Sequence, residues 1–208
     1  ISYKGFRIEL YQNILDELFN KREKIYSGAY IMPSGKSTFG FERKFKNHLR
    51  LIEYMMKDGL TKKILNSNKL KDAYNILLEY PTIGTFLAYQ YAIDINYSEI
   101  TDFDEMEFVV AGPGAKAGIR KCFSNSAEYS YEYIIHYVCE HQKDEFKRLN
   151  LNFKTLWGRE LKLIDCQNIF CETDKYSRIR YPDIVDSNGR KKIKQTYFRN
   201  NKNIEYFY

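Results

Sequence analysis

The chain has 208 residues, 44% of them hydrophobic, which is enough for one packed core. No apolar run approaches the roughly 20 residues that a membrane span needs, so neither a membrane partner nor a signal peptide is expected. A net charge of +6 suits a polyanionic partner, and the 19 Tyr and 14 Phe suit a core or base stacking, or reflect a low-GC genome. The spacing of Cys122, Cys139, Cys166 and Cys171 fits neither a zinc site nor a ferredoxin-type cluster, and His48, His136 and His141 show no ligand pairing. The expectation is free thiols in a reducing compartment, with no metal and no cofactor.

In chain order, Leu10, Ile14, Leu15 and Leu18 give residues 9–25 a helical spacing, and residues 27–40 read as a loop. A second helix is expected over 41–57, with Phe45, Leu49, Ile52 and Met56 on one face and Asp58-Gly59 as its stop. Ser67 and Asn68 are cap candidates for a helix running to Tyr80. The longest helical pattern covers 126–149, and another covers 159–172. From Tyr181 the pattern fails: "DSNGRKK" is a turn, and alternating pieces such as "KIKQTYF" follow. The reading is a mostly α domain over 1–180, with a short irregular basic C-terminal extension, 181–208, packed on it.

The stretch "YIMPSGKSTFG", Tyr30 to Gly40, ends like a nucleotide-binding P-loop. That loop needs a glycine where Tyr30 stands, and it should follow a strand and not a helix, so a surface loop is expected.

"LLEYPTIGTFLAYQYA", Leu77 to Ala92, fits a helix-hairpin-helix pattern. Gly84 falls on its second glycine, Ile83 between the two, Ala88 on the small position, and Thr82 replaces the first glycine. Such a turn exposes backbone N–H groups at a helix start, where Thr82, Gly84 and Thr85 would hold a DNA phosphate without reading sequence. The plain alternative is a helix pair packed in a core. "AGPGAKAGIRKCF", Ala111 to Phe123, is a second glycine turn opening a helix. Gly112 and Gly114, with Lys116, Arg120 and Lys121 beside them, form a second candidate phosphate clamp, or simply a tight turn around Pro113.

Asp102 and Asp104 follow Gly84 by 18 and 20 residues. In this the chain resembles the helix-hairpin-helix DNA glycosylases, whose catalytic Asp follows the second glycine at about that distance, and the resemblance implies one of the two as a catalytic carboxylate; the plain alternative is a helix cap. Asn47 and Arg50 share a helix face and would bind a base edge or a phosphate, or lie on a solvated face. Asp165, Gln167, Asn168 and Glu172 are polar positions in an apolar helix, with Asp165, Asn168 and Glu172 on one face. They suggest a pocket wall, or helix–helix hydrogen bonds. Lys175, Tyr176 and Arg178 follow as phosphate binders or basic surface. The run "GRKKIKQ", with Lys191 and Lys192, would favour a DNA backbone or be merely solvated.

Three stretches carry a family resemblance: "KFKNHLRLIEYMM"; "FLAYQYAIDINYS" with "DFDEMEFVVAGPGAKAGIRKCF"; and "LKLIDCQNIFCETDKYSRIR", a D-x-x-N-x-x-C-E-x-x-K-Y-x-R signature. Together, over roughly residues 20–195, the chain resembles the alpha-glutamyl/putrescinyl thymine pyrophosphorylases and the related helical domain of 5-hydroxymethyl-deoxyuridine DNA kinases, within the helix-hairpin-helix DNA glycosylase superfamily. The resemblance implies a glycosylase-like helical fold acting on a flipped-out 5-substituted pyrimidine of double-stranded DNA. The implied reaction is displacement of pyrophosphate from 5-pyrophosphoryloxymethyl-uracil by an amine, an amino acid or a polyamine. The alternatives are excision of a hydroxymethylated or glucosylated base, as in antiphage defence, and a non-catalytic DNA-binding module. Asp102 or Asp104, with Asp165 and Glu172, would supply the carboxylate chemistry, and Asn47, Arg50, Gln167, Asn168, Lys175, Tyr176 and Arg178 would hold the substrate. Phe86 stands where bifunctional glycosylases carry a Schiff-base lysine, and the iron–sulfur cysteines of the endonuclease III branch are absent. The kinase relatives carry their P-loop on a separate domain, so kinase activity is not expected of this chain. The implied compartment is the cytoplasm of a bacterial or phage-infected cell.

Overall fold

The computed structural model describes residues 5–28, 31–156, 158–184 and 193. Lys191, Lys192, the expected turn at 186–192 and most of the alternating tail lie outside the described residues. Helices α1 (Ile8–Asn20), α2 (Lys36–Phe39), α3 (Lys44–Lys57), α4 (Leu60–Leu65), α5 (Leu70–Leu78), α6 (Thr85–Asn96), α7 (Pro113–Cys122), α8 (Tyr131–Glu140), α9 (Gln142–Arg148) and α10 (Leu163–Arg180) follow in order. Among the described residues no strand forms, and a single bridge joins Leu156 to Arg159. The protein is mostly α. No described helix is long and apolar enough to cross a membrane.

Helices α1 and α2 pack on α3, α5 packs on α6, and α10 runs along α7 and α8. One buried cluster extends from Leu51 through Leu70, Leu77, Leu87, Tyr89 and Ile119 to Leu163 and Phe170. Each such large side chain stabilises the fold by roughly 1.5–3 kcal/mol.

Several expected boundaries shift for local reasons. Helix α3 starts at Lys44, because Arg43 is still extended at φ −83° and ψ 119°, and Ile52, placed on its inner face, is exposed. The buried face instead takes Asn47 and His48. The pattern over 126–149 divides into a 3₁₀ turn (Ser126–Glu128), α8 and α9. Ser130 caps α8 by accepting the Tyr133 N–H at 3.1 Å, and the chain bends at His141. Gln142 holds that bend, donating to the Cys139 and Leu161 carbonyls and accepting the Leu161 N–H. Helix α10 begins later and ends later than 159–172. Its start is fixed by Asp165, which accepts the Lys162 N–H at 2.8 Å and pairs with Arg159 at 2.6 Å.

Helices α7 and α10 approach closely, at two glycines. A Cβ on Gly118 would overlap the Phe170 carbonyl, and one on Gly114 would lie 2.5 Å from Cys171 Sγ. One turn further on, the buried Asp174 carboxylate meets Lys121 Nζ at 2.7 Å and Arg178 at 3.0 Å.

Candidate nucleic-acid interface

Helices α5 and α6 are joined by a short turn over residues 79–84, closed by the Ile83 N–H donating to the Tyr80 carbonyl at 3.2 Å. Thr82 has φ +69°, the left-handed conformation that glycine accepts freely and a β-branched residue resists. Its hydroxyl is buried without a hydrogen-bond partner. Neighbours hold the turn in place. The Tyr80 hydroxyl donates to Asp58 at 2.7 Å, and Lys63 pairs with the same carboxylate, holding it below its ordinary range.

The loop carrying Gly-Lys-Ser-Thr packs on this turn: a Cβ on Gly35 would lie 3.5 Å from Thr82 Cγ2. Gly35 itself is left-handed at φ +68° and opens the one-turn helix α2. Asn47 clamps the loop from α3, donating to the Ser34 and Phe41 carbonyls, both at 2.8 Å, and accepting the Phe41 N–H at 3.0 Å. His48 Nε2 donates to the Pro33 carbonyl, so Nδ1 accepts from the Tyr26 hydroxyl. Burial lowers the His48 pKa.

Helices α6 and α7 both start on a glycine in extended conformation, Gly84 and Gly112, with no acidic residue in the first turn. They leave their leading N–H groups without side-chain caps and carry the positive end of the helix dipole. Gly112 brings the two starts together. Its N–H donates to Gln167 Oε1 at 3.2 Å, and a Cβ there would stand 2.7 Å from the Phe86 ring. Between them lies a groove of about 210 Å³ lined by Thr85, Phe86, Ala111, Pro113, Lys116 and Arg120.

Neither Lys116 nor Arg120 has a carboxylate partner among the described residues. Both rest on Tyr131, with Lys116 Nζ 5.6 Å and the Arg120 guanidinium 5.9 Å from the ring centre, and Arg120 donates to the Tyr131 hydroxyl at 3.0 Å. The nearby Glu132 carboxylate accepts the Ala111 N–H at 2.9 Å. Two uncapped helix starts and two cations without ion-pair partners are the chemistry that suits an anion.

The groove thus takes Thr85 from beside the first turn and Lys116 from beyond the second; Gly84 and Gly112 precede the two helices it lies between, and Gly114 faces Cys171 of α10 instead. Other candidate residues are engaged elsewhere. Lys121 and Arg178 are buried on Asp174 and do not face a phosphate. Asn47 uses both amide hydrogens on the loop, leaving none for a base. Gln167 is buried on Gly112 and Asn168, so it braces the turn. Asp165 is occupied by its cap and by Arg159. Arg50 pairs with Glu53 and lies over Phe41, and Lys175 pairs with Glu172. Asn168, Glu172 and Tyr176 are exposed to solvent.

Asp102 and Asp104 are exposed on the loop between α6 and α7. Asp104 accepts the Met106 N–H at 2.9 Å, while Asp102 makes no side-chain hydrogen bond among the described residues. No described group of three or more His, Cys, Asp or Glu is arranged to hold a metal. Burial raises the thiol pKa values of Cys139 and Cys166, which suits inert core residues. Sequence reasoning gave Phe86 and Tyr131 no role in the groove. The i, i+4 spacing of Lys116 and Arg120 was a usable signal for one basic face, but an aromatic support for it had none.

A 5-hmdU DNA kinase of Bacillus phage SP10 is 27% identical over 168 residues, covering 74% of this chain and 26% of the phage protein. The chain therefore spans about a quarter of the length of that curated relative. No solved structure matches. The family described as "5-hmdU DNA kinase, helical domain" matches residues 1–186, and the chain belongs to that family.

Proposed function

We propose that this chain is a DNA-gripping helical module that works on DNA carrying 5-hydroxymethyluracil or a derivative of it. The observation that carries this reading is the groove where two uncapped helix starts meet Lys116 and Arg120, cations with no ion-pair partner among the described residues. A phosphodiester fits that chemistry, and contacts of this kind position a duplex without reading sequence. The α5–turn–α6 pair acts as a helix-hairpin-helix, and Thr82 takes the backbone shape of the glycine it replaces. Membership of the family and the name of the phage relative, a 5-hmdU DNA kinase, support 5-hydroxymethyluracil as the base concerned.

A second reading rests on Asp102, whose exposed carboxylate makes no side-chain hydrogen bond among the described residues. There it would take the proton from an amine that displaces pyrophosphate from 5-pyrophosphoryloxymethyl-uracil. The amine–methylene C–N bond forms as the C–O bond breaks, and pyrophosphate leaves with the electron pair.

Nucleoside and free-base mass spectrometry on bound DNA separates the readings. The substrates are 5-hydroxymethyluracil DNA, and its pyrophosphorylated form with an amine supplied. Bound but unchanged DNA supports the module. A nucleoside that loses pyrophosphate, gains amine mass and is not formed by Asp102→Asn establishes displacement. Free modified base with abasic sites establishes excision. DNA that is not bound at all overturns the proposal.

A further inference from the structure

Helix α8 carries an aromatic ladder. Tyr129, Tyr133, Tyr137 and His141 follow at four-residue spacing, so their rings rise along one face. Tyr129 stacks on Tyr133 at 5.2 Å and 17°, Tyr137 lies 6.5 Å from Tyr133, and His141 stacks on Tyr137 at 4.1 Å. The three tyrosines are each about half exposed, at 53%, 52% and 47%. None of their hydroxyls has a hydrogen-bond partner among the described residues.

A pocket of about 460 Å³ separates the ladder from the segment that leaves α7. Phe123 faces it from that segment, with Ser124 and Asn125 on the rim and Tyr129, Tyr133 and Tyr137 opposite. None of the residues lining it is charged. It therefore suits a flat, uncharged group with polar edges, and it does not suit a phosphate. Groove and pocket share α7: Lys116 and Cys122 are six residues apart on it, about 9 Å along its axis and roughly 120° around it, so a strand that follows the helix surface links them. A strand whose phosphate sits at Lys116 and Arg120 can thus bring a neighbouring base to the tyrosines.

We infer that the α8 ladder and its pocket bind an unstacked base of the DNA strand held in the α6–α7 groove. The inference rests on the DNA-binding reading and extends it from backbone to base. Ring stacking of this kind tolerates any base and strengthens binding without sequence preference.

The test compares a short single-stranded oligothymidylate with an abasic oligomer of equal length and charge, by fluorescence anisotropy on the whole chain. The wild type is expected to bind the base-bearing oligomer roughly tenfold tighter. Tyr133→Ala with Tyr137→Ala removes that preference and leaves abasic binding unchanged. Tyr133→Phe with Tyr137→Phe keeps it, since the rings remain. Thermal melting confirms that each variant folds, as expected for half-exposed positions. A wild type with no preference, or a preference that survives the double alanine change, overturns the inference and leaves backbone binding intact. A wild type that binds neither oligomer overturns the DNA-binding reading as well.

Discussion

The two sides of α7 carry the same kinds of residue for opposite ends. Toward α10 lie Gly114, Gly118 and Lys121, where no Cβ fits beside Cys171 or Phe170 and the lysine is buried on Asp174. Toward α6 lie Pro113, Lys116 and Arg120, open to a groove, the two cations without an ion-pair partner among the described residues. Two glycines and a cation on one side serve packing, while a cation five residues earlier, Lys116, is left without an ion-pair partner among the described residues. Charge in a sequence becomes a binding site only where the fold supplies no counter-charge.

That contrast breaks hardest at Asp174. Asp174→Asn leaves Lys121 and Arg178 nearly buried without a carboxylate, which should cost about 3–5 kcal/mol and is read as a fall in the urea midpoint. Gly118→Ala comes next. Its methyl has nowhere to go against Phe170 backbone, so a loss of roughly 3 kcal/mol is expected in the same titration.

A gain is expected at the hairpin. Thr82→Gly removes left-handed strain of about 1–3 kcal/mol and a buried unpaired hydroxyl, against about 0.5–1 kcal/mol of added chain entropy. The net should be stabilisation of about 1 kcal/mol, seen as a higher melting temperature. The smallest effect is at Asp58, whose pKa is depressed mainly by Lys63 and then by Tyr80. A depressed carboxylate stabilises above its unfolded pKa near 3.8 and loses that contribution as pH falls through the folded value. Asp58→Asn should therefore flatten the acid end of the stability–pH curve below about pH 4 and change little at neutrality.

The helices were legible where apolar residues recurred at helical spacing, as in α1 and α3, while α6 was legible through the hairpin pattern and only the first half of α10 was read. The end of α10 was not, because Asp174 and Ser177 are buried there and read as surface residues in sequence. The break at His141 carries no glycine or proline, and Gln142 makes it through contacts to Leu161, 19 residues away. Asn47 shows the same limit in the candidate site. An asparagine that closes a loop by backbone hydrogen bonds has the same letter as one that reads a base. The two glycine turns were visible separately, but their meeting depends on Phe86 and Gln167 converging on Gly112, which no local pattern encodes.

The most direct test is the salt dependence of duplex DNA binding by the wild type, by Lys116→Ala with Arg120→Ala, and by Lys57→Ala. Lys57 is an exposed lysine already paired with Glu53. If the groove holds the backbone, the double variant binds more weakly and its slope of log affinity against log salt falls by about 2, while Lys57→Ala leaves the slope unchanged. An unchanged slope in the double variant would contradict the account, and would move the DNA, if bound, to another face of the molecule.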